Sequence, residues 1–354
     1  MGIRIFREED RERWDSFVMN TGNSSCYHLT GWKNVIERSF GHKSYYLLAE
    51  DIENKVRGIL PLVQLKSVLF GNFMISLPYF NYGGICTDNE EIFIQLLKEA
   101  TKIAAERKSE HIELRHTQHI SNGLKVNPVG IHSYGVKTTK VSMRLELPQN
   151  SEELWKSFSS KLRSQIKRPI KEEMYSKLGK EEELDSFYTV FSTNMRDLGT
   201  PVYSKEFFKN IFKEFPESAW ICTIYTKEKQ PVASGFIVGF KETLEIPWAS
   251  SLRSYNHYSP NMLLYWSALK FACENGYKVF DFGRSTPGEG TYKFKEQWGA
   301  KPVQLYWHYW MRNGGPLPEL NPKNPKYQLA IKIWQKLPVS LTRVIGPRIV
   351  KNIP

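Results

Sequence analysis

DFGRSTPGEGTYKFKEQWGAKPVQLYW, running from Asp281 to Trp307, is the stretch on which the reading of this chain turns. A DFG triplet holds magnesium in protein kinases. That use needs a glycine-rich loop, a VAIK-type lysine and an HRD loop upstream, and the sequence has none of them. It also has no GxxxxGKS/T loop and no strand-linked GxGxxG, so phosphate-cradling nucleotide loops are excluded. What remains is a strand YKVFDFG, a glycine-rich turn, a short helix or turn GEGTYKFKEQWG, and a strand PVQLYWHYW. Glycine lets backbone approach a ligand closely. Lys293 and Lys295 flank Phe294, and a lysine beside such a turn can stabilise negative charge developing on a carbonyl oxygen. Asp281 is placed to orient Arg284 or Lys295. The same residues also suit a structural turn with solvated lysines.

The 354 residues are enough for two domains. With 41% hydrophobic and 24% charged residues, a packed globular chain is expected. The formal net charge of +12 suits an anionic partner: RNA, a phosphorylated substrate or an acidic membrane surface. The four cysteines, Cys26, Cys86, Cys222 and Cys273, form no CxxC motif and read as buried thiols of a reducing compartment. MGIRIFREEDRERW has no apolar stretch for a signal peptide, and Arg7 stands where myristoylation wants Ser or Thr. No apolar run is long enough to span a bilayer. A cytoplasmic protein is expected, with the inner face of the membrane as a place of peripheral contact.

Upstream of the decisive stretch, EEDRERWDSFVMN and LTGWKNVIERSFG read as helices, the second with Thr30 as a cap. SYYLLAE, VRGILPLVQLKS and FMISLPY read as a meander of strands. NEEIFIQLLKEATKIAAERK is an amphipathic helix with acids in its first turn, and EHIELRH and KTTKVSMRLEL are strands. After Pro148 the order repeats. Helices come first, among them the mostly helical SSKLRSQIKRPIKEEMYSKLG, in which Pro169 either makes a bend or starts a new helix, and SKEFFKNIFKEF, which Ser204 caps. Three strands, the helix SPNMLLYWSALKFACENG and the strand YKVFDFG follow. Ser259, Pro260 and Gly276 fit that helix's N-cap, N1 and C-cap. The repeated order predicts two similar domains.

Lys161, Ser164 and Arg168 fall at i, i+3 and i+7, with Arg163 and Lys167 beside them. This is either a phosphate clamp or a solvated basic face. His111, His116 and His119 lack the helical spacing of a zinc site and read as surface histidines. No GxSxG elbow is present. In the tail, one basic amphipathic helix precedes Pro-interrupted turns. Trp334, Leu337, Val344 and Ile345, interleaved with Lys332, Lys336, Arg343 and Arg348, suit either an anionic membrane surface or packing on the body.

DFGRST followed by GTYKFKEQWGAKP resembles the closing motif of the FemAB-type transferases of the GNAT superfamily. The similarity extends to Trp14 with YHLTGWKNVIERSFGH, to VRGILPLVQLKSVLFGNFMISLPYFNYGG, to KLRSQIKRPIKE and to FSTNMRDLGTPVYSKEFF. The branch it most resembles is the FemAB-like proteins of exosortase and exopolysaccharide systems. The resemblance implies an α/β (α+β) chain of two tandem GNAT-like domains, each a mixed, largely antiparallel sheet flanked by helices. It places them at 1–148 and 149–310, with a tail, 311–354, packing back on the first. It implies acyl or aminoacyl transfer that forms an amide on a cell-envelope or exopolysaccharide precursor. Lys295 would stabilise the tetrahedral intermediate, with Asp281 and Arg284 as further catalytic residues. Phe294, Tyr292, Trp32, Tyr82, Arg163, Lys167 and Asn261 are the candidate substrate-binding residues. No metal or resident cofactor is implied. The partners are an anionic acyl donor, aminoacyl-tRNA or acyl-CoA, and the envelope precursor, not DNA. Where the family has FK-x-GF, this chain has FKEQWG, with Trp298 departing from the pattern. The alternative is a noncatalytic accessory protein of an envelope export system that keeps the fold.

Overall fold

The computed structural model describes residues 2–67, 70–118, 133–318 and 325–353. The chain divides into two compact units. The first is Met1–Val141 with Gln304–Glu319 and Asn352–Pro354; the second is Ser142–Val303 with Leu320–Lys351.

In the first unit, Gly2–Ile5, Leu47–Glu50 and Val56–Leu60 form an antiparallel three-stranded sheet. A six-stranded sheet runs in the order Lys43–Ser44, Val63–Ser67, Gly71–Ile75, His111–His116, Tyr306–Met311, Ser133–Lys137. The helix Glu90–Glu106 begins where the Asn89 side chain accepts from the Ile92 N–H at 3.1 Å. Its Leu96, Leu97 and Ala100 join Leu47, Leu60, Met74, Ile112 and Trp310 in one buried cluster.

In the second unit, seven strands follow the order Tyr175–Gly179, Ala219–Tyr225, Pro231–Phe240, Thr243–Ser251, Val279–Ser285, Val141–Glu146, Lys301–Gln304. The first four pair antiparallel, and Thr243–Ser251 then pairs parallel with Val279–Ser285. The helix Pro260–Glu274 makes the crossover that a parallel step requires. The first unit contains the same step. There Gly71–Ile75 runs parallel to His111–His116, with Glu90–Glu106 between them. The fold is therefore α/β, with two mixed sheets flanked by helices.

The partition departs from the expected one in three ways. The first cut falls between Val141 and Ser142, because Val141–Glu146 belongs to the seven-stranded sheet. Tyr306–Met311, expected in the second domain, pairs instead with His111–His116 and Ser133–Lys137 of the first unit. Beyond residue 319, only Asn352–Pro354 of the tail return to the first unit. Leu320–Lys351 clusters with the second unit, in which Pro325–Lys336 and Val339–Val350 pack on Leu184–Leu198. The Pro-interrupted turns expected in the tail are this second helix, which accommodates Pro347.

Candidate active site

In VFDFGRS, Phe280 and Phe282 are buried and alternate with Asp281 and Gly283 along the strand Val279–Ser285. Asp281 is 1% exposed. Its Oδ1 accepts from Ser142 Oγ at 2.6 Å and from the Gly283 N–H at 2.7 Å, and its Oδ2 accepts from Arg144 Nε at 3.0 Å. Gly283 has φ 75°, a left-handed conformation that side chains disfavour. The chain turns at Gly288 and enters the short helix Gly290–Glu296. That helix returns Lys295 to the strand it left. Lys295 is buried, and its Nζ donates to the carbonyls of Gly283 at 3.0 Å and Arg284 at 2.9 Å. Burial pushes the Lys295 pKa down to about 8, against the opposing pull of Asp281 and Glu245, while Arg284 adds to the lowering.

These carbonyls sit at a particular place in the sheet. The register between Thr243–Ser251 and Val279–Ser285 runs only from Thr243↔Val279 to Glu245↔Asp281. Gly283 and Arg284 lie beyond the last pair, where both strands run on without each other.

Residues 156–296 match the family model described as an acetyltransferase (GNAT) domain. The chain is similar to a crystal structure of FemX with a TM-score of 0.69, covering 94% of this chain and 100% of that one at 17% identity. Residues 156–296 are thus similar to a GNAT acetyltransferase domain, and the chain has a fold like that of FemX. L-PGS from Bacillus licheniformis is similar over 97% of this chain and 98% of that one, with a TM-score of 0.54 and 12% identity. A tandem GNAT protein from the clavulanic acid biosynthesis pathway covers 89% and 99%, with a TM-score of 0.53 and 8% identity. No curated protein matches the chain.

The matched GNAT segment contains Glu245, Asp281 and Lys295 but stops short of Ser142 and Arg144, which lie upstream of it. Around Lys295 the structure brings together only part of the expected set. Arg284 contributes its carbonyl, and the residue itself is exposed. Phe294 is half-buried, its ring 5.1 Å from Tyr265 and 6.4 Å from Trp298. Tyr292, on the same helix, is half-buried, and Lys293 is exposed. Trp298, where this chain departs from FK-x-GF, is 2% exposed and packs edge-on to Phe158 at 5.5 Å. The large side chain is a core plug beneath the turn.

Asn261 is half-buried at the start of Pro260–Glu274. Ser259, expected to cap that helix, has φ 61° and makes no capping bond. Thr30 likewise makes no cap; its hydroxyl and N–H both bind the Asp15 carboxylate. Arg163 is half-buried, whereas Lys161, Ser164, Lys167 and Arg168 are exposed on Ser160–Lys171, with Lys167 Nζ 5.8 Å from the Trp155 ring centroid. Trp32 and Tyr82 are sealed in the first unit, where both rings pack on Tyr27 at 5.3 Å and 5.9 Å. They are core residues there rather than the lining of an open site.

The histidines also differ from expectation. His111 and His116 are buried, and His116 Nδ1 lies 3.0 Å from His308 Nδ1 while its Nε2 accepts from the Ile85 N–H at 2.9 Å. His119 lies outside the described residues. Among the described residues, no group of three or more His, Cys, Asp or Glu is placed to hold a metal. All four cysteines are buried, and none forms a disulfide.

The sequence reading missed Ser142, Arg144 and Glu245. The signal was present in each case. Ser142 and Arg144 alternate with Val141, Met143 and Leu145, so both point to one face of a strand. Glu245 stands between buried Leu244 and Ile246 and is itself only 5% exposed. A carboxylate is rarely buried without a charged or hydrogen-bonding reason.

Proposed function

We propose that this chain transfers an acyl or aminoacyl group from an anionic donor to an amine, forming an amide on a cell-envelope or exopolysaccharide precursor. The observation that carries the reading is the buried Lys295 ammonium at the point where two parallel strands separate. An ammonium has three donors. Two are directed at the Gly283 and Arg284 carbonyls, which leaves one for an oxyanion.

The acceptor amine attacks the ester or thioester carbon, and the carbonyl electron pair moves to oxygen. Lys295 stabilises that oxygen. Collapse restores the carbonyl, expels the donor's hydroxyl or thiol, and releases the amine proton to the leaving group or to water. A fixed, poorly hydrated cation is well suited to this role, because it needs no reorganisation as charge develops. Asp281 holds the strand end through Ser142, Arg144 and the Gly283 N–H, and so fixes the carbonyls that aim Lys295. Beyond Glu245 and Asp281, the separated strands offer backbone groups to an extended, amide-bearing donor arm. The exposed basic face of Ser160–Lys171 suits a donor rich in phosphate, whether aminoacyl-tRNA or acyl-CoA. The GNAT match and the FemX-like fold support transfer chemistry.

Purified protein incubated with labelled aminoacyl-tRNAs and acyl-CoAs, together with amine-bearing envelope precursors, tests the reading. Amide formation that depends on Lys295 is expected. Binding of a precursor without transfer from any donor would favour an accessory role in an envelope export system.

A further inference from the structure

The two tail helices, Pro325–Lys336 and Val339–Val350, each dock on Leu184–Leu198 by one face. Trp334 is buried, and Thr342, Gly346 and Val350 recur at i, i+4 and i+8 on the buried side. Gly346 permits the close approach, since a Cβ there would lie 2.9 Å from the Val202 nitrogen. Gln335 Nε2 donates to the Asp197 carbonyl at 3.0 Å, and Arg343 Nε donates to Ser192 Oγ at 2.9 Å. The docked faces are therefore settled. Trp334 and Arg343, which the sequence offered as membrane-facing, are turned inward.

The opposite faces are of another kind. Leu329, Lys332, Ile333 and Lys336 fall at i, i+3, i+4 and i+7, and all are exposed. Leu341, Val344 and Arg348 continue the pattern on the second helix. Leu329 is 63% exposed, Ile333 55% and Val344 60%. Large apolar side chains held in water along a helical stripe mark a contact surface more often than a solvated face. From Pro325 to Lys351 the sequence has six basic residues and no Asp or Glu.

We propose that this face binds an anionic lipid bilayer, with Leu329, Ile333, Leu341 and Val344 entering the headgroup–acyl boundary and Lys332, Lys336 and Arg348 at the headgroups. Among the described residues, no helix is long and apolar enough to cross a membrane, so the contact is peripheral. A second copy of the chain suits the surface less well. Pairing the face with itself sets lysines against lysines with no acid to meet them. RNA would meet the charge but leave the aliphatic stripe in water, and Trp334, a ring on which bases might otherwise stack, is buried. The proposal does not rest on the transferase reading, because the surface lies on helices that carry none of the site residues.

The test is sedimentation of the full chain with vesicles of phosphatidylglycerol and phosphatidylcholine, or of phosphatidylcholine alone, at low and high salt. Binding to the anionic vesicles at low salt, weakened by salt, is expected. Lys332→Gln, Lys336→Gln and Arg348→Gln together should lower partitioning by about a hundredfold, at about fivefold for each basic residue near an anionic surface. Ile333→Glu with Val344→Glu should abolish binding while leaving the melting temperature unchanged, since both side chains lie largely in water. No binding at low salt, or binding indifferent to both sets of substitutions, overturns the proposal. So does a vesicle-free dimer, or binding to RNA alone, that the apolar substitutions abolish.

Discussion

Replacing Lys295 with methionine removes the charge and keeps much of the bulk. The fall in its pKa from 10.5 to about 8 is the net effect of burial, the largest cause, with Arg284 adding to it and Asp281 and Glu245 opposing it. At 1.36 kcal/mol per pH unit it corresponds to about 3 kcal/mol. The sign follows from proton counting. Between about pH 8 and 10.5 the unfolded chain still carries the proton that the folded chain has released, so this group's contribution to stability rises with pH through that window. Below pH 8 both states are protonated, and the group adds no pH dependence. The difference in unfolding free energy between wild type and Lys295→Met should therefore be flat below about pH 8. It should then move in favour of wild type by about 3 kcal/mol by about pH 10.5. Urea unfolding followed by circular dichroism measures it, and the titration of tyrosines and cysteines cancels in the difference. This readout needs no substrate. With an active donor in hand, the same substitution should cut turnover on the order of 100-fold or more, with acceptor binding nearly unchanged. Lys293→Met, at an exposed position, should be mild. A difference that stays flat across the whole window would refute the burial argument, and equal small rate effects from both lysines would refute the oxyanion role.

Asp281→Ala should cost about 3 kcal/mol in urea unfolding, because it leaves Arg144, Ser142 and the Gly283 N–H without their shared acceptor; an unchanged midpoint would show that the carboxylate does not hold the strand end. His116 is held well below its ordinary pKa by burial, with His308 and His28 adding to the effect. The unfolded chain thus takes up the proton first as pH falls. The stability from the neutral ring is complete above about pH 6.5 and lost below it, at up to about 1.4 kcal/mol per pH unit. Melting temperatures from neutral to mildly acid pH should fall more steeply for wild type than for His116→Gln, and parallel profiles would count against the reading.

The elements were legible wherever the signal was local. The helix Glu90–Glu106 announces itself by its apolar period and by Asn89, and Lys205–Glu214 by Ser204, whose side chain accepts from the Phe207 N–H at 3.2 Å. The pairing of strands was less legible, because it depends on partners far away in sequence. Val141–Glu146 and Tyr306–Met311 each read as strands, yet nothing within either segment says which sheet it joins. Cutting the sequence at its repeat placed both strands on the wrong side. Each serves as the neighbour of a crossover strand far away in sequence: Tyr306–Met311 lies beside His111–His116, and Val141–Glu146 beside Val279–Ser285. The tail failed for a related reason. Its amphipathic period was visible, but which stripe is buried depends on Gly346 meeting Val202 and on Arg343 meeting Ser192, contacts made across the fold.

The same distinction separates the part of the site that sequence revealed from the part it hid. Asp281, Gly283 and Lys295 lie within one short segment, so a strand, a glycine turn and a returning helix suffice to bring them together. Ser142 and Arg144 reach Asp281 only because their strand is inserted beside Val279–Ser285 from 139 and 137 positions away. Glu245 arrives opposite Asp281 through the parallel register. The two sources of residues have different physical tasks. The local segment supplies the cation and one carboxylate, Asp281, whereas the distant strands hold Asp281 through Ser142 and Arg144 and add Glu245; the two carboxylates keep part of the ammonium form that burial alone would remove. With Asp281 and Glu245 removed, desolvation and Arg284 would act on Lys295 unopposed, and its pKa would fall below about 8. A larger share of the lysine would then be neutral near pH 7. Asp281, local but held by distant side chains, and Glu245, brought in by the parallel register, therefore together set how much of the lysine is available as a cation.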